Sequence, residues 1–243
     1  MPFLENLCLR NLPPDVFRKL QPLLHKQDFP AGKILFMPGD DVRHLYFMTS
    51  GAVSLVTPLA AGQTIEFAIV GRDGVVGGMA ALGSPEAFYQ AIVQVEGTGY
   101  SLEMEAARRS VLDSHAFRTL LVCHEQLVLA QSQQSSACNA MHNLEQRLAR
   151  WLLRVRDVTG SETFKLTQDF MSEMLGVRRT SVSVVAGKFQ QSGWISYVRG
   201  QVRLEHPDAL ARCACECYSA VRSQQQMLLG TDPHETKAPS SGN

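Results

Sequence analysis

The sequence lacks a continuous apolar run of about 18 residues, the length that a membrane-spanning helix requires. Its first five residues include an acid, Glu5, where a secretory signal has basic residues followed by an apolar stretch. These absences predict a cytoplasmic protein with no membrane partner. Charged residues are also sparse, at 19%, and 23 basic residues balance 23 acidic ones. With 45% hydrophobic residues over 243 positions, the composition is that of a globular chain of one or two domains.

Recognisable catalytic motifs are absent as well. The sequence has no nucleophile elbow, no Walker loop and no metal-hydrolase motif. The seven histidines show no H-x-H or H-x-x-x-H spacing, and only His44 falls in a predicted strand, so a metal enzyme on a sandwich would lack its ligands. The glycine-rich stretch 71–78 is predicted to join two strands rather than to open a helix, which disfavours a phosphate cradle. The chain is therefore predicted not to be an enzyme.

The net charge of zero conceals an uneven distribution of charge along the chain. Residues 1–113 carry 9 basic and 12 acidic residues, whereas residues 165–204 carry 6 basic and 2 acidic ones, a net charge of +4. The segments 114–164 and 205–243 have net charges of +1 and −2. One basic segment inside a slightly acidic chain is the electrostatic pattern of a protein that binds a phosphate backbone.

The first half of the chain reads as a short helix followed by many short strands. Residues 13–24 form an amphipathic pattern with prolines at its start, which predicts a helix. Turn signals such as Pro38-Gly39-Asp40 and Gly83-Ser84-Pro85 then separate runs of alternating or continuous apolar residues. Strands at this spacing predict an antiparallel β-sandwich or jelly roll. The predicted strands are Lys33–Met37, His44–Met48, Ala52–Thr57, Thr64–Val70, Gln90–Glu96 and Tyr100–Glu103.

The centre of the chain is predicted to be helical. Between 106 and 157 there is no glycine or proline, and the apolar residues follow helical spacing. We predict a long helix over 112–138, a hinge near 139–143 and a second helix ending at Thr159-Gly160. A long helix after a small sandwich favours coiled-coil packing with a second copy of the chain. The alternative is that this helix only covers the sandwich.

The basic segment has the pattern of a helix-turn-helix. Thr167 is a good N-cap for a short helix that Gly176 ends, and a second helix is predicted from Arg178 to Gln191. On the second helix Val182, Val185, Ala186 and Phe189 form one inward stripe. The opposite face has short side chains with cations at its edges, which suits a helix that enters the DNA major groove. The alternative is an ordinary helical hairpin whose charges only keep it soluble.

A β-hairpin with a basic tip follows the second helix. Residues 194–198 and 201–204 flank the pair Arg199-Gly200, which predicts a two-residue turn. A helix-turn-helix followed by such a hairpin is a winged helix, and its arginines lie where phosphates would pass. The predicted DNA-binding residues are Thr167, Arg178, Arg179, Thr180, Ser181, Ser183, Val184, Lys188, Arg199 and Arg203.

From about residue 10 to 210 the chain resembles the Crp/Fnr superfamily of bacterial transcription regulators. The resemblance rests on the Pro38-Gly39-Asp40 turn, the stretch 45–53, the order of sandwich, long helix and winged helix, and the register of 167–191. It implies an α+β fold with a sensory, cyclic-nucleotide-binding-like β-sandwich at 1–111, a dimerisation helix at 112–138, a winged helix-turn-helix domain at 139–229 and a disordered tail at 230–243. It also implies a homodimer that binds double-stranded DNA at two inverted half-sites.

Departures from the family pattern argue against cyclic AMP. In nucleotide-binding members a Gly-Glu pair holds the ribose and a later arginine pairs with the cyclic phosphate. Here Gly78 replaces that glutamate, and Phe88 or Tyr89 replaces the arginine. We therefore expect no cofactor, and a pocket that either is filled by its own aromatic side chains or takes another, unidentified small-molecule effector. The predicted pocket residues are Gly77, Gly78, Met79, Phe88, Tyr89, Gln90, Ser132 and Gln133.

The second helix of the predicted helix-turn-helix also departs from the family pattern. The commonest family triad is Arg, Glu and then Arg four residues after the Glu; Arg179 matches the first, but Thr180 and Val184 replace the others. The operator sequence should therefore differ, since one bidentate base contact is worth about 1–3 kcal/mol of discrimination. RNA polymerase is a further candidate partner of a regulator of this type.

The six cysteines leave a second mode of sensing open. An Fnr-type iron–sulfur cluster needs several N-terminal cysteines, and only Cys8 precedes Cys123. Cys213, Cys215 and Cys217 lie close together with His206 nearby, but on one continuous helix Cys215 would point away from the other two. No metal ligands are therefore predicted. A redox- or metal-responsive regulator that signals through these cysteines is the alternative to a pocket ligand.

Overall fold

The computed structural model describes residues 2–60 and 62–230. Within those residues an N-terminal antiparallel sandwich is followed by helices and a C-terminal winged helix, which confirms the predicted α+β fold class. No helix in the described part of the chain is long and apolar enough to cross a membrane. Apart from Gly230, the tail predicted to be disordered lies outside the described residues.

The sandwich is built from β1 (Leu24–Phe29), β2 (Ile34–Phe36), β3 (His44–Met48), β4 (Ala52–Pro58), β5 (Thr64–Val70), β6 (Gln90–Val95) and β7 (Gly97–Glu103). One sheet has the strand order β1-β7-β3 and the other β2-β6-β4-β5, and all pairings are antiparallel. Each predicted strand is present. β1 was missed because only its end residues Leu24 and Phe29 are buried, so its sequence shows no apolar alternation.

Short helices accompany the sandwich. The N-terminal segment folds into α1 (Leu7–Arg10) and α2 (Pro14–Leu20), the latter being the predicted amphipathic helix. The prediction that stretch 71–78 only joins strands is wrong, because it leads into α3 (Gly78–Leu82). Gly77 makes this possible: its φ of 92° is in the left-handed region, which L residues rarely adopt.

Three helices connect the sandwich to the winged helix: α4 (Met104–Asp113), α5 (His115–Met141) and α6 (Leu144–Thr159). The long helix thus spans 115–141 rather than the predicted 112–138. Ser114 breaks the helical pattern with φ −133° and ψ 109°, and its side chain caps α5 by accepting from the Phe117 backbone N–H at 3.2 Å. Asn143 caps α6, so the hinge lies at 142–143, inside the predicted interval.

The C-terminal part contains β8 (Thr163–Lys165), α7 (Gln168–Leu175), α8 (Arg179–Gln191), β9 (Ile195–Val198), β10 (Gln201–Leu204), α9 (Pro207–Cys213) and α10 (Cys217–Leu229). Strands β8, β10 and β9 form one antiparallel sheet in that order. The sequence predicted only the β9–β10 hairpin of this sheet. β8 has three residues, too few to show a periodic pattern.

The sandwich and the C-terminal part share one buried interface. Ile69 of β5 belongs to the same apolar cluster as Trp151 and Val155 of α6. Within this interface Asp73 Oδ2 accepts from Arg154 Nη2 at 2.6 Å, and both side chains are almost fully buried. The C-terminal part is therefore packed directly on the sandwich rather than tethered through the hinge alone.

Candidate functional site

The helix-turn-helix is held by a buried apolar frame. The Thr167 side chain caps α7 by accepting from the Phe170 N–H at 3.1 Å, as predicted from its position, and Gly176 ends α7 with φ 62°. Arg178 is the N-cap of α8 rather than its first helical residue. The inward stripe of α8 is confirmed, since the buried residues of this helix are Val182, Val185, Ala186 and Phe189.

The outward face of α8 is accessible. Val184 lies on this face and exposes 61% of its surface. Ser183 is half-buried, and its hydroxyl oxygen lies 2.5 Å from Gln168 Oε1 on α7, so that hydroxyl is already engaged within the motif. The exposed members of the predicted DNA-binding set are Thr167, Arg178, Arg179, Thr180, Ser181, Val184, Lys188, Arg199 and Arg203.

The predicted wing is a tight hairpin. Its two turn residues, Arg199 and Gly200, have φ values of 51° and 79°, the left-handed pair that a type I′ turn requires. On β10 the exposed Arg203 alternates with the buried Val202 and Leu204. The hairpin therefore presents two arginines on the outside of the sheet.

Acidic neighbours hold several of the exposed cations. Arg179 Nη1 lies 3.3 Å from Asp169 Oδ1, and Arg203 Nε lies 3.5 Å from Glu205 Oε1. Lys188 pairs with Glu145 of α6. Exposed pairs of this kind contribute about 0–1 kcal/mol, so a phosphate or base can displace the carboxylate at little cost.

A regular stripe runs along the exposed side of α5. Its members follow alternating steps of three and four residues, the a/d spacing of a coiled coil, and each is exposed in the single chain. Val122 and Leu129 supply apolar side chains, exposed by 41% and 58%. This heptad stripe consists of Thr119, Val122, Gln126, Leu129, Gln133, Ser136 and Ala140.

The predicted effector pocket is only partly brought together. Met79 and Phe88 lie exposed, by 52% and 76%, and Gln133 belongs to the heptad stripe. Ser132 is half-buried, whereas Gln90 is buried in β6. The residues of α5 that face the glycine-rich turn are His124, which accepts from the Val75 N–H at 3.2 Å, and Glu125.

Glu125 and Tyr89 occupy the region around Gly78. A Cβ atom at position 78 would collide with the Glu125 carboxylate, so a side chain there would require the flexible end of Glu125 to move. The Tyr89 ring packs edge-on against Phe36 and Phe67, with ring centroids 5.4 Å apart in both cases. Burial and the charge of Glu125 both raise the pKa of Tyr89. Sequence reasoning missed Glu125, because contacts between a helix and a distant turn leave no local pattern.

Glu66 is a second residue that the sequence did not reveal. It lies on β5 and accepts from Ser54 Oγ at 2.6 Å and from Trp151 Nε1 of α6 at 2.8 Å. Burial raises its pKa to about 7, although these hydrogen bonds and the positive charges of Arg150 and Arg154 act in the opposite direction. The available signal was an acid within the otherwise apolar run 65–70. Glu66 therefore joins the sandwich to α6 by a buried polar contact.

Two domain families match the chain. The model of the cyclic nucleotide-binding domain matches residues 26–113, and that of the Crp-like helix-turn-helix domain matches residues 146–213. A sandwich of the first kind joined to a winged helix of the second defines a transcription regulator that binds DNA. The chain belongs to the Crp/Fnr superfamily of such regulators.

Known relatives agree with this assignment. The global nitrogen regulator of Synechococcus elongatus is 22% identical over 198 residues, which cover 78% of this chain and 89% of that protein. The CRP-like cAMP-activated global transcriptional regulator of Mycobacterium tuberculosis is 24% identical over 204 residues, with 81% and 89% coverage. The solved structure of FixK2 from Bradyrhizobium japonicum shares the fold, with a TM-score of 0.67 at 14% identity, covering 79% of this chain and 98% of that one.

Proposed function

We propose that the protein is a homodimeric, sequence-specific regulator that reads a two-fold symmetric operator with α8. The observation that carries this proposal is the outward face of α8, which is exposed and edged by Arg179 and Lys188 while the opposite face is buried. A helix with one face buried in the domain and the other exposed can enter a major groove with its N-terminal residues toward the bases. The predicted role of RNA polymerase as a partner stays a prediction.

Alanine at Arg179 is expected to remove a base contact. Because a bidentate arginine–guanine pair is worth about 1–3 kcal/mol, the variant should bind the selected operator about 5- to 150-fold more weakly. It should also lose preference for one base position. Fluorescence anisotropy with the operator and with single-base variants measures both effects.

Arg203 of the wing provides the matched control for that titration. Its alanine variant should weaken binding to all sequences alike and lower the salt slope by about one, as expected for a phosphate contact. Unchanged base preference in the Arg179 variant would contradict the proposed register of α8. Cyclic AMP added to the same titration should leave the affinity of the parent protein unchanged.

The expected insensitivity to cyclic AMP follows from the residues around Gly78. The glutamate and arginine that hold the nucleotide in binding members are replaced by Gly78 and by Phe88 or Tyr89. Glu125 instead places a carboxylate against the glycine, and a cyclic phosphate at this position would meet a like charge. Tyr89 fills part of the adjacent space with its ring. We therefore propose a sensor domain that has lost its cyclic AMP site.

The heptad stripe of α5 supports the homodimer. Coiled-coil packing of two copies would bury the exposed Val122 and Leu129 side chains against their counterparts. The polar and small residues of the stripe, such as Gln126 and Ser136, limit the stability of this seam, so the apolar positions should dominate it. The interface then brings two α8 helices to two half-sites of one operator.

Alanine at Leu129 is expected to weaken the dimer about 30-fold. Each copy loses about 1 kcal/mol of apolar burial, and a symmetric dimer loses it twice. Analytical ultracentrifugation over a concentration series measures the change in Kd. The matched control is Leu112→Ala, which truncates an exposed leucine of α4 outside the stripe and should leave dimerisation unchanged. Equal behaviour of the two variants would place the dimer interface elsewhere.

A further inference from the structure

Four side chains of the types that ligate metals meet at the hinge between α5 and α6. Cys138 lies in the last turn of α5, and His142 is its C-cap. Cys215 and Cys217 lie at the junction of α9 and α10. The ligand atoms of these four residues all lie within 4.8 Å of one another. Residues distant in sequence thus form one compact cluster, here called the hinge cluster.

The break between α9 and α10 makes this arrangement possible. On one continuous helix Cys215 and Cys217 would diverge, but α9 ends at Cys213 and Ala214 adopts an extended conformation with φ −62° and ψ 150°. Cys215 and Cys217 therefore both turn toward the end of α5. Cys213 and His206, which the sequence placed near them, are not members of the hinge cluster.

The distances suit a single tetrahedral ion. With Zn–S and Zn–N bonds of about 2.3 and 2.0–2.1 Å, tetrahedral ligands stand about 3.8 Å apart for a sulfur pair and about 3.6 Å for sulfur and nitrogen. Cys138 Sγ and Cys215 Sγ are 3.5 Å apart, and Cys217 Sγ is 3.6 Å from His142 Nδ1. Three sulfurs and one imidazole nitrogen form one of the common structural zinc sets.

Neighbouring groups orient the ligands. Glu216 Oε1 lies 3.2 Å from His142 Nε2, so the carboxylate can accept a hydrogen bond from the Nε2–H of the tautomer whose unprotonated Nδ1 faces Cys217. A carboxylate behind a histidine ligand is a recurrent feature of metal sites. Gln134 Nε2 donates to Cys217 Sγ at 3.0 Å, a bond that strengthens when the sulfur becomes a thiolate.

The surroundings of the sulfurs differ from those of an ordinary core cysteine. Cys138, Cys215 and Cys217 are buried in a small cluster of their own, whereas Cys8 is buried among other residues near the Asp73 carbonyl. The Arg150 guanidinium lies close enough to Cys138 for its positive charge to act on that thiol. A zinc ion with three thiolates carries a net charge of −1, and a nearby guanidinium can balance it.

We propose that Cys138, His142, Cys215 and Cys217 bind one Zn²⁺ ion that fastens the hinge to the C-terminal helix. Binding releases the three thiol protons to solvent and forms three Zn–S bonds and one Zn–N bond, with no change of oxidation state. The heptad stripe of the proposed dimer interface lies on α5, and α6 begins the DNA-binding part. The ion would therefore fix the junction that connects the dimer interface to α8. The thiolates of an iron–sulfur cluster bind separate irons and stand further apart, so the spacing favours a mononuclear ion.

Metal analysis of the purified full chain tests this proposal without reference to DNA. Protein prepared under reducing conditions with zinc should contain about one zinc per chain by plasma mass spectrometry, as a closed four-ligand site requires. Titration of the metal-free protein with Co²⁺ should give thiolate-to-cobalt charge-transfer absorption and tetrahedral ligand-field bands. Chelation of the zinc should lower Tm.

Variants separate the hinge cluster from non-specific thiol binding. Cys217→Ser and His142→Ala should each weaken zinc binding by more than about 100-fold, and Glu216→Gln by about 10-fold, because it only positions His142. His142 is partly exposed, so its variant remains folded even if the cysteine variants do not. The matched control Cys213→Ser should retain the zinc content and cobalt spectrum of the parent chain.

Three outcomes would overturn the proposal. The first is a parent chain that takes up neither zinc nor cobalt. The second is equal loss of metal in the Cys213 control and the hinge-cluster variants. The third is a Cys138–Cys215 disulfide, or iron with sulfide, at these positions in protein isolated without oxidant. Each of these results leaves the proposed reading of DNA by α8 untouched, since that is measured separately.

Discussion

Replacing Asp73 by alanine is expected to lower the free energy of unfolding by about 3–5 kcal/mol, the usual cost of removing one partner of a buried ion pair. The Arg154 guanidinium would stay buried without its carboxylate, and Gln225 Oε1, 3.0 Å from Arg154 Nη1, offers no charge to replace it. The Gly71 N–H would also lose its 3.0 Å bond to Asp73 Oδ1. Urea unfolding followed by tryptophan fluorescence measures the change, because Trp151 lies in the same interface.

A surface ion pair across the same two domains serves as the control. Lys165 Nζ lies 2.9 Å from Glu96 Oε1, and both side chains are largely exposed. Lys165→Ala should therefore cost only about 0–1 kcal/mol. Similar losses in the two variants would show that the sandwich and the DNA-binding part are not joined by a buried interface around Asp73.

The buried Glu66 should make stability fall as pH rises toward neutrality. Its pKa of about 7 in the folded chain lies above the ordinary value of 4.5, so the folded state holds this proton more tightly than the unfolded state does. Between these two pKa values the folded chain binds more protons, and raising the pH removes stability. A shift of this size corresponds to about 3 kcal/mol, present in full below pH 4.5 and lost as the pH passes through about 7.

Glu66→Gln isolates that contribution from the other titrating groups. The neutral amide can still accept from Trp151, so the variant should lose the pH-dependent difference without losing the contact. Unfolding free energies of parent and variant, measured from pH 5 to 8, should diverge as the pH rises, with the variant the more stable at pH 8. The control variant Glu103→Gln changes an exposed carboxyl of the same sandwich. Its free energy of unfolding should change with pH in the same way as that of the parent. If the free energy of unfolding of Glu66→Gln also followed that of the parent at every pH, Glu66 would not be the source of the pH dependence.

The sequence predicted elements wherever local pattern and local chemistry agree. Strands β2 to β7 show apolar periodicity between turn residues, and α8 shows an apolar stripe opposite a face of small and cationic residues. The wing was predictable because Arg199-Gly200 is a turn pair between two short apolar runs. These signals lie within a few residues of one another and need no knowledge of tertiary contacts.

The features that the sequence did not predict depend on distant contacts or on single-residue breaks. Ser114 interrupts the helical region by its extended backbone angles and its N-cap side chain, in a stretch with no glycine or proline. Glu125 lies against Gly78, and Glu66 accepts a hydrogen bond from Trp151. In both cases the two residues are far apart in the sequence, so no local pattern reveals the contact. The hinge cluster joins residues 138 and 142 to residues 215 and 217, and it requires a helix break at Ala214 that no proline or glycine marks.

Together these contacts connect the sandwich to the winged helix through α6. Glu66 and Asp73 both bond to α6, and α6 leads into the winged helix. A ligand or proton would alter the placement of α8 through these bonds only if it bound one position of the sandwich relative to α6 more tightly than another. The hinge cluster acts at the other end of the same connection.

Selection of binding sequences from a random DNA library, followed by measurement of the stoichiometry, tests whether the protein reads a two-fold symmetric operator as a homodimer. We predict an inverted repeat with half-site centres about 10 base pairs apart, bound by two chains, with an affinity that falls steeply with salt. Insertion of about five base pairs between the half-sites should abolish tight binding, because it turns one site to the opposite face of the duplex. No enriched sequence, a single asymmetric site bound by one chain, or an affinity independent of salt would contradict it.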